Sequence, residues 1–237
     1  MFNAMNLHLA LAAAAALLAF AFALSTLERW IDGRKPHEGA WTVALFLFSA
    51  ASVALWGGAA FGWNGLWFRL FYLFGAIVNV PYLALGTIYL LSPLAVARRV
   101  AMGVHVFAAF SAGVIIVAPL TSPIVADTLP QGSDVFGPLP RVLAGGASGL
   151  ASVVIIGGAV WSAVRLARRR STRRLAGANA LIAFGTVILG AGGLLNSVLD
   201  EMDGFAVSLV VGITVLFAGF LLTNAPRRPA VRVVEAA

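Results

Sequence analysis

Cysteine is absent from this 237-residue chain, which excludes disulfides, thiolate metal sites, iron–sulfur ligation and thiol catalysis. Charge is nearly as scarce. Charged residues make up 11% of the chain and hydrophobic residues 61%, where an ordinary soluble domain is about 25% charged and about 45–50% apolar. One soluble core of this length could not hide so much apolar surface, so soluble enzymes, nucleic-acid binders and disordered chains are excluded. The single lysine, Lys35, lies in a polar break, which removes a retinal pigment, whose Schiff base needs a lysine amine inside a helix. The three histidines, His8, His37 and His105, fall at different depths, which argues against a paired-histidine haem or a histidine metal site. No Gly-x-Ser-x-Gly motif and no Ser–His–Asp set is present. No cofactor, metal or catalytic residue is therefore assigned, and an enzyme acting on lipid or quinone is the least favoured class.

What remains is apolar sequence in blocks. A membrane-spanning helix needs about 20 mostly apolar residues, and the mean hydropathy of +0.96 leaves room for several. Seven segments qualify: Asn6–Leu27, Ala40–Phe61, Leu70–Leu91, Val100–Leu120, Arg141–Val164, Leu175–Val198 and Phe205–Thr223. The fold class expected is an all-α, polytopic seven-helix bundle, one transmembrane domain over residues 1–225 with a short basic tail, 226–237. Between the fourth and fifth segments, Thr121–Pro140 carries Pro123, Pro130, Pro138 and Pro140, so an irregular lid is expected there.

Orientation follows from the basic residues. Arg29, Arg34, Lys35, Arg98, Arg99, the run Arg165–Arg174, and Arg227, Arg228 and Arg232 all fall on one set of alternate breaks, leaving only Arg69 and Arg141 on the other. The positive-inside rule places the N-terminus outside and the C-terminus in the cytoplasm of a multi-pass protein of the inner (plasma) membrane. The net charge of +7 is then a topology signal and implies no nucleic acid. The basic run also suits anionic lipid head groups. The first segment has no basic residues before it and reads as an anchor, not a cleaved signal.

The phrases Tyr72-Leu73-Phe74-Gly75-Ala76 with Asn79-Val80-Pro81, and Gly158-Ala159-Val160-Trp161-Ser162-Ala163, resemble those of uncharacterised seven-helix membrane proteins of high-GC bacteria. The resemblance covers most of the chain. It implies the seven-helix fold and brings no activity and no residue roles with it.

The most informative segment is the third. Arg69, Tyr72, Gly75, Asn79, Tyr82, Gly86 and Tyr89 are spaced three or four apart, which sets them on one helix face. That face holds all three tyrosines of the chain. Pro81 lacks an N–H and is expected to free the carbonyl of Ile77, four residues back. Asn79 lies ten residues beyond Arg69, about 15 Å deep and near the bilayer midplane. A polar face on an interrupted helix at that depth is one way transporters build a site; the same pattern also serves helix packing.

A second face runs along the sixth segment through Asn179, Thr186, Gly190, Gly193, Ser197 and Asp200, with Asn196 beside it. Candidate ligand-binding residues are therefore Tyr72, Asn79, Tyr82, Tyr89, Thr186 and Asn196, in a polar seam between helices three and six. An outer rim of Arg69, Arg141, Asp200, Glu201 and Asp203 could attract a cation, or simply hold acids paired with the two arginines. Finally, Gly39-Ala40 with Phe46 recurs 138 residues later as Gly177-Ala178 with Phe184, and Gly75 recurs as Gly212. These echoes suggest parallel halves in a three-plus-one-plus-three plan. The functions in view are binding or facilitated transport of a small solute, and, as the alternative, an accessory, structural or sensory subunit acting through a membrane protein partner or a second copy. No span carries a charge near its middle, so ion coupling is not expected.

Overall fold

The computed structural model describes residues 4–167, 173–199 and 202–224, and these are helical throughout apart from turns and one long connection. We label the helices α1 (Ala4–Gly33), α2 (Pro36–Phe61), α3 (Gly65–Leu91), α4 (Leu94–Val117), α5 (Pro138–Ala167), α6 (Arg173–Leu199) and α7 (Met202–Asn224). Six of them, α1 to α5 and α7, are long and apolar enough to cross a membrane. The described side of α6 contributes a shorter apolar stretch, Ala180–Ala191. The chain is thus a multi-pass membrane protein by length and composition. The Arg168–Arg170 run, Asp200, Glu201 and the 226–237 tail lie outside the described residues.

Local chemistry sets the helix ends. Asn64 caps α3, its Oδ1 accepting from the backbone N–H groups of Leu66 and Trp67 at 3.0 and 3.1 Å, as a helix start requires. Pro36 opens α2 at its first position, where the missing N–H costs nothing. The lid expected over Thr121–Pro140 is irregular over 121–137 apart from one helical turn, Gly132–Val135, and its last three residues instead open α5, where Pro138 and Pro140 stand in the first turn and need no N–H partner. It is tied down by a backbone bridge between Leu120 and Phe136 and by Trp63 N–H donating to Ala126 O at 2.9 Å.

The helices pack in a closed circuit: α1 on α2, α2 on α3, α3 on α5, α5 on α6, α6 on α7, and α7 back on α1. The fourth helix stands outside this circuit, against α3 and lightly against α5. Only Ala97, Ala101, Ser111 and Ile115 of α4 are buried. The largest core cluster joins Ala12 and Ala15 of α1, Leu55 of α2, Ile77 and Val78 of α3, and Phe205 and Leu209 of α7. Alanines dominate the buried side of α1, which brings its backbone close enough for Ser49 Oγ of α2 to donate to Ala16 O at 3.0 Å. Close approach with polar side chains bonded across the seam is how helices associate where lipid removes the hydrophobic drive.

One contact sets the spacing of α2 and α3. The Trp41 indole lies over Gly86, and its Nε1–H donates to Leu83 O at 3.2 Å; a methyl group at Gly86 would overlap that nitrogen. Gly103 of α4, in contrast, has nothing within 4 Å of where its Cβ would stand. Gly86→Ala should therefore lower stability in detergent by about 1–3 kcal/mol, the usual cost of overpacking, while Gly103→Ala should leave the thermal midpoint unchanged or slightly raised. Equal midpoints for the two variants would refute this account of the seam.

Candidate functional site

The third helix is interrupted where the sequence pointed, and the interruption begins ahead of the proline. Tyr72–Val78 is π-helical, with the Asn79 N–H bonded to Phe74 O, five residues back. Pro81 follows in the α-helical stretch Asn79–Leu91, where the N–H it lacks is the one that would meet Ile77 O. One residue earlier, where the π segment gives way to α-helix, the Ser148 hydroxyl of α5 donates to Ala76 O at 2.6 Å. Single-turn π insertions are frequent at functional sites.

Most of the polar face expected on this helix is matched to packing partners. Arg69 donates to the Ile115 carbonyl and, at 2.7 Å, to the Ala118 carbonyl. It thereby caps the C-terminal end of α4, where carbonyls lack partners. Tyr72 packs on Phe68 and Phe136, with centroids 5.6 and 5.0 Å away, and Gly132 of the lid abuts its ring. Gly75 lies against Ala51 of α2. Tyr82 meets His105 of α4 edge-on at 5.5 Å, and Tyr89 joins the small cluster of Ala40, Leu85 and Ala101.

Asn79 is the exception. Only 8% of its surface is exposed, and its Oδ1 is buried without a hydrogen-bond partner. An amide oxygen left this way in an apolar interior costs about 1–3 kcal/mol, so its retention at the π segment marks the candidate site. Among the described residues two other buried atoms share the condition, Ser111 Oγ of α4 and Arg29 Nε of α1.

Thr186 is buried on α6 and its hydroxyl donates to Ile182 O at 2.9 Å. It is not brought together with the tyrosines, because α3 packs against α2, α4 and α5 while α6 packs against α5 and α7. The two helices share no extensive contact among the described residues. The side chains of Asn179, Asn196, Ser197 and Asp203, like that of His8, lie outside the described ones. Arg141 is exposed, and Asp134 accepts from Ser133 at 2.9 Å. No group of three or more acids or histidines that could hold a metal is found among the described residues.

Two depressions occur elsewhere. A 550 Å³ cleft under the lid is lined by Trp63, Asn64, Leu120 and Thr121. A 430 Å³ apolar groove between α1, α2 and α3 is lined by Phe20, Phe46, Val53, Trp67 and Phe74.

The sequence reading missed a charged cluster at the α1–α2 turn. Glu38, buried at the start of α2, pairs with Arg29 of α1 at 2.7 Å and stands 3.6 Å from His37 Nε2. The Arg29 guanidinium lies 3.6 Å above the Phe220 ring of α7, and Trp41 meets that ring edge-on. Below it, Thr42 donates to Thr26 at 3.0 Å. Counted by loop, Arg29 and Glu38 were ordinary break residues. Their spacing across a two-residue turn was the signal that could have paired them.

No protein-family model, curated protein or solved structure matches the chain.

Removing Glu38 would leave Arg29 half-buried over an aromatic ring without its counter-charge. Glu38→Ala should cost about 3 kcal/mol, the low end for breaking a buried pair. The double replacement Arg29→Met with Glu38→Leu should recover most of that loss in the same unfolding experiment. A double variant no more stable than Glu38→Ala would show that the ion pair is not what joins α1, α2 and α7.

Proposed function

We propose that this membrane protein binds, and lets pass, a small neutral polar solute at the interrupted middle of α3, with Asn79 as the residue that recognises it. The observation that carries the reading is the unpartnered Asn79 Oδ1, buried directly after the π segment and two residues before Pro81. An acceptor oxygen there favours a molecule with a hydroxyl or amide donor. Because the described spans carry no charge near their middles, a neutral solute moving down its gradient fits better than ion-coupled pumping. In this reading Tyr82, Tyr72 and Tyr89 shape the path along α3, and Thr186 and Asn196 of α6 belong to the far side of the bundle. Arg69, Arg141, Asp200, Glu201 and Asp203 form its outer rim.

The proposed frame is seven spans, with the N-terminus outside, the C-terminus cytoplasmic, and the bilayer in question the bacterial plasma membrane. Two features support a three-plus-one-plus-three plan. The packing circuit maps onto itself when α1–α3 is exchanged with α5–α7, with α4 outside as the linker. The Gly75–Ala51 contact also recurs, 137 and 138 residues on, as Gly212 against Leu189. A second reading, an accessory subunit or a homo-oligomer, is favoured by α5, where Gly145, Gly146, Gly149 and Gly157 border open space and Leu150, Val153 and Trp161 are exposed.

The test is solute entry into reconstituted vesicles, followed by light scattering with glycerol and urea as probes. Wild-type protein should speed swelling over protein-free vesicles. Asn79→Leu should lower the protein-dependent rate at least about tenfold, equivalent to 1.4 kcal/mol, with helicity retained. Swelling unaffected by Asn79→Leu would remove the site. Stoichiometric co-purification of another membrane protein, with no passage by the isolated chain, would favour the second reading.

A further inference from the structure

Ser111 is one of four buried residues on α4, and the other three are Ala97, Ala101 and Ile115. It is fully buried, and its Oγ has no hydrogen-bond partner among the described residues. A serine in a helix ordinarily returns its hydroxyl to a carbonyl three or four residues back, as Thr26 and Ser208 do here at 2.8 and 2.7 Å. Ser111 does not. Two orphaned polar atoms, Ser111 Oγ and Asn79 Oδ1, thus sit on a pair of packed helices inside segments apolar enough to span a membrane.

Three ties fix the register of that pair. Arg69 reaches the carbonyls of Ile115 and Ala118, Tyr82 meets His105, and Leu91 and Leu94 flank the turn between the helices. Between these ties Ser111 falls level with Gly75, and Asn79 level with Phe107. The two residues are then about four positions, about 6 Å, apart along the axis. Side chains lean toward the N-terminus of their own helix. In an antiparallel pair this tilts Asn79 toward the level of Ser111 and Ser111 toward the level of Asn79. Asn79 shares its face with Tyr82, which packs on α4, and Ser111 shares its stripe with Ile115, which joins the same core cluster as Ile77 and Val78.

We propose that Ser111 and Asn79 form a two-point site that holds one hydroxyl group between α3 and α4. The Ser111 hydroxyl donates to the oxygen of the bound group, which in turn donates its own proton to Asn79 Oδ1. The chemistry is that of any molecule whose oxygen both accepts and donates: an internal water, or the alcohol of a solute. The inference rests on the reading of Asn79 as the recognising residue and adds its partner on the neighbouring helix.

A double-variant cycle tests it. Thermal midpoints of the detergent-purified full chain are measured for wild type, Ser111→Ala, Asn79→Leu and the double variant, each with and without glycerol as the alcohol probe. A shared hydroxyl predicts that each single change lowers the midpoint by several degrees and that the double falls clearly short of their sum. Coupling without glycerol assigns the group as water; coupling that appears only with glycerol assigns it as a solute alcohol. Two atoms that are merely unpaired predict the opposite, since Ser111→Ala removes a buried orphan hydroxyl and should raise the midpoint additively in both conditions. That result overturns the proposal. Should Asn79→Leu fail to fold, Asn79→Ala takes its place in the cycle. The vesicle assay separates the two ideas: passage lost in Asn79→Leu without coupling to Ser111 rejects the two-point site alone, and coupling without passage rejects only the transport role.

Discussion

A proline inside a membrane-spanning helix leaves one backbone carbonyl without its N–H, and lipid offers nothing to replace it. In this chain the architecture around α3 answers that constraint. The π segment Tyr72–Val78 runs up to the interruption, and α5 is held close enough for Ser148 to reach the Ala76 carbonyl beside it. That contact fixes α5 beside α3, and α6 and α7 follow from α5 around the circuit. On its other flank α3 carries Gly86, into which α2 sets the Trp41 indole. At its start, Arg69 supplies the donors that the end of α4 lacks. One helix thus satisfies its own broken ladder from a neighbour and repairs the ladder end of another.

The helical segments were legible because apolar runs and polar breaks are one-dimensional signals; six of the seven runs fall within a helix of the structure, and the fourth, Val100–Leu120, overruns the end of α4 at Val117. The lid was legible from its four prolines. The site was only partly so. The periodicity of α3 put its polar residues on one expected face, but the structure sends Gly75 and Gly86 to α2 and Tyr82 to α4, and periodicity cannot tell which of them will find partners. Tyr72 became a packing surface because Phe136, sixty-four positions away, folds under the lid onto it. Arg69 became a cap for the same kind of reason: its acceptors belong to a helix end whose position is set by tertiary contacts. The π register was hidden because an i to i−5 ladder leaves no composition mark, and the face drawn at α-helical spacing drifts across it. Ser111 was hidden more simply, as one small polar residue on a helix with few buried positions.

The two ends of the bundle are closed by different chemistry. At the lid end, Phe68, Tyr72 and Phe136 form an aromatic cluster, with Phe68 stacked on Phe136 at 5.2 Å and the Arg69 guanidinium 5.8 Å above the Phe136 ring. At the other end the closure is electrostatic, Arg29 held between Glu38 and the face of Phe220. An aromatic cluster tolerates small shifts of its members, since most of its attraction is hydrophobic burial, which is non-directional. A buried ion pair is not, because displacing either charge leaves the other desolvated. Any motion that opens the bundle should therefore begin beneath the lid, where the cleft lined by Trp63, Leu120 and Thr121 already lies, and pivot on the charged end, where α1, α2 and α7 are held together. Asn79 and Ser111 sit between the two, on the helix pair in which α4 contributes few buried residues and can separate at least cost. A polar site at that seam is placed where the packing offers the least resistance to a guest.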